Sequence, residues 1–202
     1  MQAPKMPSFE VQRCTEADMS RVFEIVSLAF ANDHEYVDAV FPAHDTPEGR
    51  KIGSKRMLEI FRGDPYGNFV KVVHNDTGVI VAAAKWNVYK GGEIPPQPEI
   101  DGDYWENEEE KEFAQLLFRA FFVPRQKVIE ETNGHLVGMY HDDACRLLEQ
   151  ARPLTYTALE MLMVDPAYQK MGAGRMLVRW GLAQADGLGV DVSLQSYSTV
   201  ES

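Results

Sequence analysis

The segment from Leu159 to Arg175 constrains the fold of this chain more than any other part of its sequence. A strand predicted over Leu154–Val164 leads into it and stops at Asp165-Pro166, and two glycines then stand where a helix begins. Glycine lets a backbone approach a ligand closely, and the first N–H groups of a helix lack intrahelical partners. The segment therefore predicts an anion site suited to a pyrophosphate, or else a glycine-permitted tight turn without a ligand.

Two other phosphate-binding patterns do not fit this segment. A Walker loop needs a Gly-Lys-Ser/Thr sequence, which does not follow Gly174. A dinucleotide fingerprint needs Gly-x-Gly-x-x-Gly in the first strand–helix unit, and neither the spacing nor the position agrees.

Composition excludes several classes of protein. The formal net charge of -11 argues against a phosphate-binding surface for nucleic acid and against an anionic membrane. It is compatible with a cationic partner such as an amine, although simple solubility explains it as well. Cys14 and Cys145 have no metal-ligand spacing, and the sequence shows neither a signal peptide nor a long apolar run. These features favour a reduced, cytoplasmic protein with no bound metal.

The first part of the chain, residues 8–90, predicts a strand, two helices and a hairpin. Thr15 and Asp18 form a capping-box pattern before an apolar stripe at helical spacing. A turn at Asn75–Gly78 separates two β-rich runs. The predicted elements are the strand Phe9–Cys14, a helix from Thr15 to Phe30, a helix within Pro47–Phe61, and the strands Phe69–His74 and Val79–Trp86.

Residues 91–153 predict a loop and helical insert, and residues 154–195 a strand, a helix and a strand. Within the helix predicted over Glu106–Glu131, Pro124 indicates a break or a kink. The other predicted elements are a loop over Tyr89–Asp103, a helix over Asp142–Gln150, the helix Gly172–Asp186 and the strand Val190–Gln195. This order predicts one α/β (α+β) domain over residues 1–202, with a mixed, mostly antiparallel sheet flanked by helices.

The pattern Val164-Asp165-Pro166-x-Tyr168-Gln169-x-x-Gly172-x-Gly174 resembles motif A of the GNAT N-acetyltransferase superfamily, whose signature is Q/R-x-x-G-x-G/A. Arg13–Asp18 resembles the first strand and helix start of that family, and the Asp76-Thr77-Gly78 hairpin its second and third strands. Ala185-Asp186-x-x-Gly189 resembles its motif-helix exit. The long insert before the motif is similar to that of fungal members.

The resemblance implies acetyl-coenzyme A as cofactor. Backbone groups of Leu162, Met163 and Val164 would pair with the pantetheine arm, where the strand splays from its neighbour. The pyrophosphate would bind Gln169, Lys170, Met171, Gly172, Ala173, Gly174 and Arg175, largely through N–H groups.

The resemblance also implies direct acetyl transfer to an amine of a small molecule or peptide, assisted by a general base. The base would lie nine or eleven residues before Gln169, at Glu160 or Ala158, and Ala158 cannot titrate. Glu160 is therefore the candidate, with a structural ion pair as the alternative. His135 and His141 are weaker candidates. Regions that line acceptor pockets in the family contain Phe30, Asp33, Glu35 and Trp86.

The sequence departs from the family at its end. A helix with a tyrosine that protonates the leaving thiolate, and two more strands, would be expected beyond Ser202, and Tyr197 comes too early to replace that tyrosine. We therefore expect a C-terminally truncated or divergent member, with a homodimer covering the exposed edge of the last strand. The alternative function is a non-catalytic coenzyme A-binding module.

Overall fold

The computed structural model describes residues 8–31, 35–89, 99–131, 156–189 and 191–194. Its centre is a five-stranded sheet in which the strands follow one another in chain order. The first four strands are antiparallel, and the fifth runs parallel to the fourth. The strands are β1 (Phe9–Arg13), β2 (Gly67–His74), β3 (Ile80–Tyr89), β4 (Tyr156–Val164) and β5 (Asp191–Leu194).

Helices cover both faces of this sheet. They are α1 (Met19–Ala29), α2 (Glu35–Val40), α3 (Pro47–Gly63), α4 (Glu108–Glu131) and α5 (Ala173–Leu188). Helix α1 packs against α3 and the sheet on one face, and α5 packs against the opposite face. The predicted fold class, a mixed α/β sheet flanked by helices, is confirmed.

The start of α1 shows how the local sequence sets an element. The Thr15 N–H donates to the Asp18 carboxylate at 2.6 Å, and the Thr15 hydroxyl donates to the same oxygen at 2.9 Å. This is the reach of Asp18 back to Thr15 that the capping-box pattern predicts. A 3₁₀ turn over Glu16–Asp18 precedes the α-helix, whose apolar stripe then faces the sheet.

Two apolar clusters fill the space between the layers. The cluster under α1 and α3 includes Phe23, Met57 and Met163, whereas the cluster under α5 includes Trp86 and Leu177. From Met161 to Val164, consecutive residues of β4 alternate between these clusters, because side chains of a strand point alternately to its two faces.

Helix α2 was not predicted from the sequence. It forms over Glu35–Val40, where Val37 and Val40 are buried. The prediction that Pro124 breaks its helix is wrong, since α4 continues through it, and the alternative of a kink is untested. The helix predicted over Asp142–Gln150 lies outside the described residues.

Candidate active site

The connection from β4 to α5 is a tight, hydrogen-bonded turn. Asp165 accepts the Ala167 N–H at 2.9 Å and so caps a 3₁₀ turn over Pro166–Tyr168. Two residues of positive φ follow, Lys170 at 62° and Gly172 at 97°. Positive φ is strained for a side chain but free for glycine, so this path explains Gly172.

Helix α5 starts at this turn with free donors. Gly172 is its N-cap and supplies no side-chain cap. The first hydrogen bond of the helix runs from the Met176 N–H to the Gly172 carbonyl at 3.1 Å. The N–H groups of Ala173, Gly174 and Arg175 therefore have no partner within the helix, and they lie at the positive end of its dipole. This arrangement favours an anion.

A cleft of about 530 Å³ opens at this helix start. It contains every residue of the predicted pyrophosphate site and one of the three predicted for the pantetheine arm. Its lining is Val164, Tyr168, Gln169, Lys170, Met171, Gly172, Ala173, Gly174 and Arg175. The side chains of Leu162 and Met163 instead pack into the apolar clusters on the two faces of the sheet, which leaves only their backbone groups for the predicted role.

The edge of β4 beside the cleft is relevant to that role. Strand β5 pairs with β4 from Tyr156–Asp191 to Leu159–Leu194, where the described part of β5 ends. Within the described chain, the edge of β4 over residues 160–164 that faces away from β3 thus carries no paired strand. Backbone N–H and C=O groups along such an edge suit an extended ligand.

Glu160 lies in a β-bulge of β4. Lys85 pairs with Met161 and Trp86 with Leu159, so Glu160 is the extra residue between them. A bulge turns two consecutive side chains to the same face and re-aims one of them. The Glu160 carboxylate accepts a hydrogen bond from Lys85 Nζ at 2.7 Å, and both side chains are only 9% exposed. The ion pair that was the alternative role for Glu160 is therefore present in the structure.

Asp64 completes this buried charge cluster. Lys85 Nζ lies 2.5 Å from the Asp64 carboxylate, which also accepts from Asn87 Nδ2 at 3.1 Å. Burial opposes the charge of Asp64, but Lys85 and these hydrogen bonds hold its pKa below the ordinary value. The nearby Tyr36 phenol has a raised pKa, because it is buried and because Glu160 disfavours its ionisation.

Sequence reasoning missed Lys85, Asp64 and Tyr36. A signal for the first was present, because Lys85 interrupts the apolar run Val79–Trp86. A lysine buried in a strand needs a carboxylate partner. Asp64 had no such signal, because it approaches Lys85 only through the end of α3.

The predicted acceptor residues lie in different environments. Phe30 is half-buried and packs on the cluster under α1, and Glu35 is exposed at the start of α2 beside Tyr36. Asp33, like His135 and His141, lies outside the described residues. Trp86 is 1% exposed and packs against Gly181 of α5, in the cluster under that helix.

Comparison with known proteins gives the family. The sequence model of the acetyltransferase (GNAT) family matches residues 94–200, more than half of the chain. The chain therefore belongs to the GNAT acetyltransferase family. No curated protein sequence matches it.

Solved structures show a partial likeness to this chain. A tetramutant of a Bacillus halodurans protein superposes with a TM-score of 0.53 at 10% identity, over 94% of this chain and 83% of that one. A GNAT family acetyltransferase from Staphylococcus aureus gives 0.47 at 9% identity, over 96% and 95%. One from Brucella melitensis, in complex with acetyl-CoA, gives 0.45 at 14% identity, over 96% and 79%. At such identities the likeness concerns the fold alone.

Among the described residues, no group of three or more His, Cys, Asp or Glu side chains is placed to hold a metal ion. No helix in the described ranges is long and apolar enough to cross a membrane.

Proposed function

We propose that this protein is an acetyl-CoA-dependent N-acetyltransferase that transfers the acetyl group directly to an amine of a small molecule or peptide. The observation that carries the proposal is the start of α5, where free N–H groups and two positive-φ residues face a cleft of about 530 Å³. Membership of the GNAT family supports the same reading.

The cleft and the strand edge offer complementary parts of a coenzyme A site. The pyrophosphate binds the N–H groups at the start of α5, with the charged side chains of Lys170 and Arg175 exposed beside them. The pantetheine arm extends along the edge of β4 over residues 160–164. Four residues at about 3.3 Å each place Glu160 about 13 Å along the strand from Val164. A pantetheine arm that extends over this distance brings the thioester close to Glu160.

The reaction needs one proton acceptor. The amine nitrogen attacks the thioester carbonyl carbon, the C–S bond breaks, and an amide and the coenzyme A thiolate form. Glu160 takes the proton that the amine loses, directly or through water, and this proton then passes through water to the thiolate, so that coenzyme A leaves as the thiol. Lys85 holds the carboxylate in place at 2.7 Å.

The acceptor amine approaches from the side of α2. Tyr36 of α2 interacts electrostatically with Glu160. Glu35 also belongs to α2, and Phe30 packs, like Tyr36, on the cluster under α1 and α3. The prediction that Asp33 and Trp86 contact the acceptor, and that a homodimer covers the outer edge of β5, stays a prediction.

A second function is favoured by one observation. The Glu160 carboxylate is already paired with Lys85, which also contacts Asp64. A carboxylate held in this way suits a structural role, and the protein would then bind coenzyme A without turnover.

Replacing Glu160 by Gln separates the two functions. We expect Glu160→Gln to bind acetyl-CoA like the wild type but to lose about a hundredfold or more in acetylation of an amine panel, since general-base catalysis contributes about 10²–10⁴-fold. Coenzyme A release measured with a thiol reagent gives the rate, and calorimetry gives the affinity.

Asp18→Asn is the matched control. Asp18 is also a carboxylate paired with a partly buried lysine, since Lys71 Nζ lies 2.7 Å away and both side chains are 13% exposed. Asp18→Asn should lower stability without a loss of acetylation rate comparable to that of Glu160→Gln. Equal rates for wild type and Glu160→Gln would reject Glu160 as base, and a wild type that binds acetyl-CoA but acetylates no amine would favour the non-catalytic module.

A further inference from the structure

Arg21 of α1 ties three parts of the fold together at the edge of the cleft. Its Nη1 contacts the Glu24 carboxylate at 2.8 Å, and its Nε donates to the Ile80 carbonyl of β3 at 3.1 Å. Its Nη2 donates to Asp165 Oδ2 through a short contact. A guanidinium has a planar set of donors in fixed directions, so these contacts hold it in one orientation.

Asp165 passes this restraint to the turn. The residue is 7% exposed, and its other carboxylate oxygen accepts the Ala167 N–H at 2.9 Å. Its own N–H still pairs with the Val81 carbonyl at 2.9 Å, and its carbonyl accepts the Tyr168 N–H at 2.8 Å. Asp165 is thus the last residue held by the sheet and the first held by the turn, so its carboxylate sets the direction in which the chain leaves β4.

The chain beyond this point is held less tightly. The two hydrogen bonds that Gln169 donates, from its N–H to the Pro166 carbonyl and from Nε2 to the Val164 carbonyl, are both 3.4 Å long. The positions of Lys170 to Gly172 therefore depend on how the turn begins. If the guanidinium is lost, a buried carboxylate is left without its counter-charge and gains by turning toward water. Such a rotation releases the Ala167 N–H and shifts the turn.

We propose that Arg21 is a positioning residue for the coenzyme A site, acting through Asp165 to place the loop that binds the pyrophosphate. Arg21 lies on α1 and does not line the cleft. Its effect is therefore on the geometry of the N–H groups at the start of α5 and not on contact with the ligand. The inference rests on the proposed function, because it assumes that this cleft binds coenzyme A.

The test compares Arg21→Met with a matched variant, Lys71→Met. Each variant removes a cation that pairs with a carboxylate near α1. The pair of Lys71 with Asp18, however, restrains the start of α1 and not the turn that follows β4. Acetyl-CoA affinity by calorimetry and Tm are measured for each purified full chain. We expect both variants to lower Tm, and only Arg21→Met to weaken acetyl-CoA binding, by about tenfold.

Two more variants make the result specific. Asp165→Asn should weaken binding by a similar factor, and the double variant of Arg21 and Asp165 should be no worse than either single one, because the two residues act as one unit. Arg21→Lys keeps the charge and should restore part of the affinity. Arg21→Lys also provides the affinity comparison with the wild type if Arg21→Met does not fold.

The outcomes separate this inference from the function on which it rests. If the wild type binds no acetyl-CoA, the proposed function fails and the inference fails with it. If the wild type binds acetyl-CoA, and both Arg21→Met and Arg21→Lys bind it as tightly as the wild type, only the inference is overturned. A loss of affinity in Lys71→Met as large as in Arg21→Met would also overturn it, since the effect would then follow stability alone.

Discussion

Gly172 is the residue at which a special backbone conformation coincides with the proposed coenzyme A site. Its φ of 97° falls where glycine is favoured, and a Cβ built there would meet no atom within 4 Å. Crowding from the protein itself therefore does not require glycine at this position, whereas the backbone path does. A side chain would draw φ toward negative values and rotate the adjacent N–H groups away from the cleft.

We therefore expect Gly172→Ala to weaken acetyl-CoA binding by about tenfold and to cost about 1–3 kcal/mol of stability through backbone strain. Gly189→Ala is the control, because Gly189 caps the other end of α5 with a φ of 65° and equally open space. It should cost similar stability and leave binding unchanged. Calorimetry and chemical denaturation measure the two effects, and equal affinity losses in both variants would contradict the role given to Gly172.

At the same scale, the sequence predicted the geometry of the turn between β4 and α5 better than the surroundings of Glu160. The loop is local, so its glycines and its Asp-Pro stop can be read from consecutive residues. The environment of Glu160 is not local, because Lys85 and Asp64 come from β3 and from the end of α3. A bulge in β4 then sets the face of the sheet to which the Glu160 carboxylate points, and no residue type in the sequence indicates that bulge.

The contact between α5 and β3 depends on one close approach. A Cβ on Gly181 would lie 2.2 Å from two atoms of the Trp86 ring, so only glycine lets the helix sit this near the sheet. This contact explains why Trp86 is buried, although the family resemblance assigned it to a region that lines acceptor pockets. A glycine in the middle of an apolar helix was the sequence signal for such close packing.

Gly181→Ala should consequently destabilise the fold by about 1–3 kcal/mol, as overpacking of a core does. Gly187→Ala on the same helix provides the comparison, because nothing lies within 4 Å of its added Cβ. It should be neutral or stabilising by up to about 1 kcal/mol, since alanine favours helix. Urea denaturation gives both values. A Gly181→Ala protein as stable as the wild type would show that α5 does not pack as described.

Helix α2 shows where element prediction failed for a physical reason. Its six residues are too few for a recognisable apolar period, and it is stabilised by burying Val37 and Val40 against its neighbours. Short helices depend on such packing more than on intrinsic propensity. The strands were predictable because a period of two repeats within a few residues, and the long helices because their period of 3.6 recurs over several turns.

For the molecule as a whole, the buried ion pairs predict the response to acid. Asp18 and Asp64 are partly desolvated by burial, but Lys71 and Lys85 with hydrogen bonds lower the pKa of each carboxylate below its ordinary value. A carboxyl group whose pKa is lowered by folding stabilises the fold above its unfolded pKa of about 4. That contribution is lost as the pH falls through the lower, folded value.

Thermal unfolding between about pH 5 and pH 3 tests this account. We expect the Tm of the wild type to fall over this range, and that of Asp64→Asn to start lower and fall less, because one of the protonating groups is gone. Parallel Tm curves for the two proteins would mean that Asp64 takes no part in the acid response.

Titration of the purified chain with acetyl-CoA in a calorimeter shows whether the cleft at the start of α5 binds coenzyme A. We expect saturable one-site binding that free coenzyme A competes away, accompanied by a rise in Tm. A folded protein that shows neither heat of binding nor a Tm shift at about 1 mM acetyl-CoA would contradict this expectation.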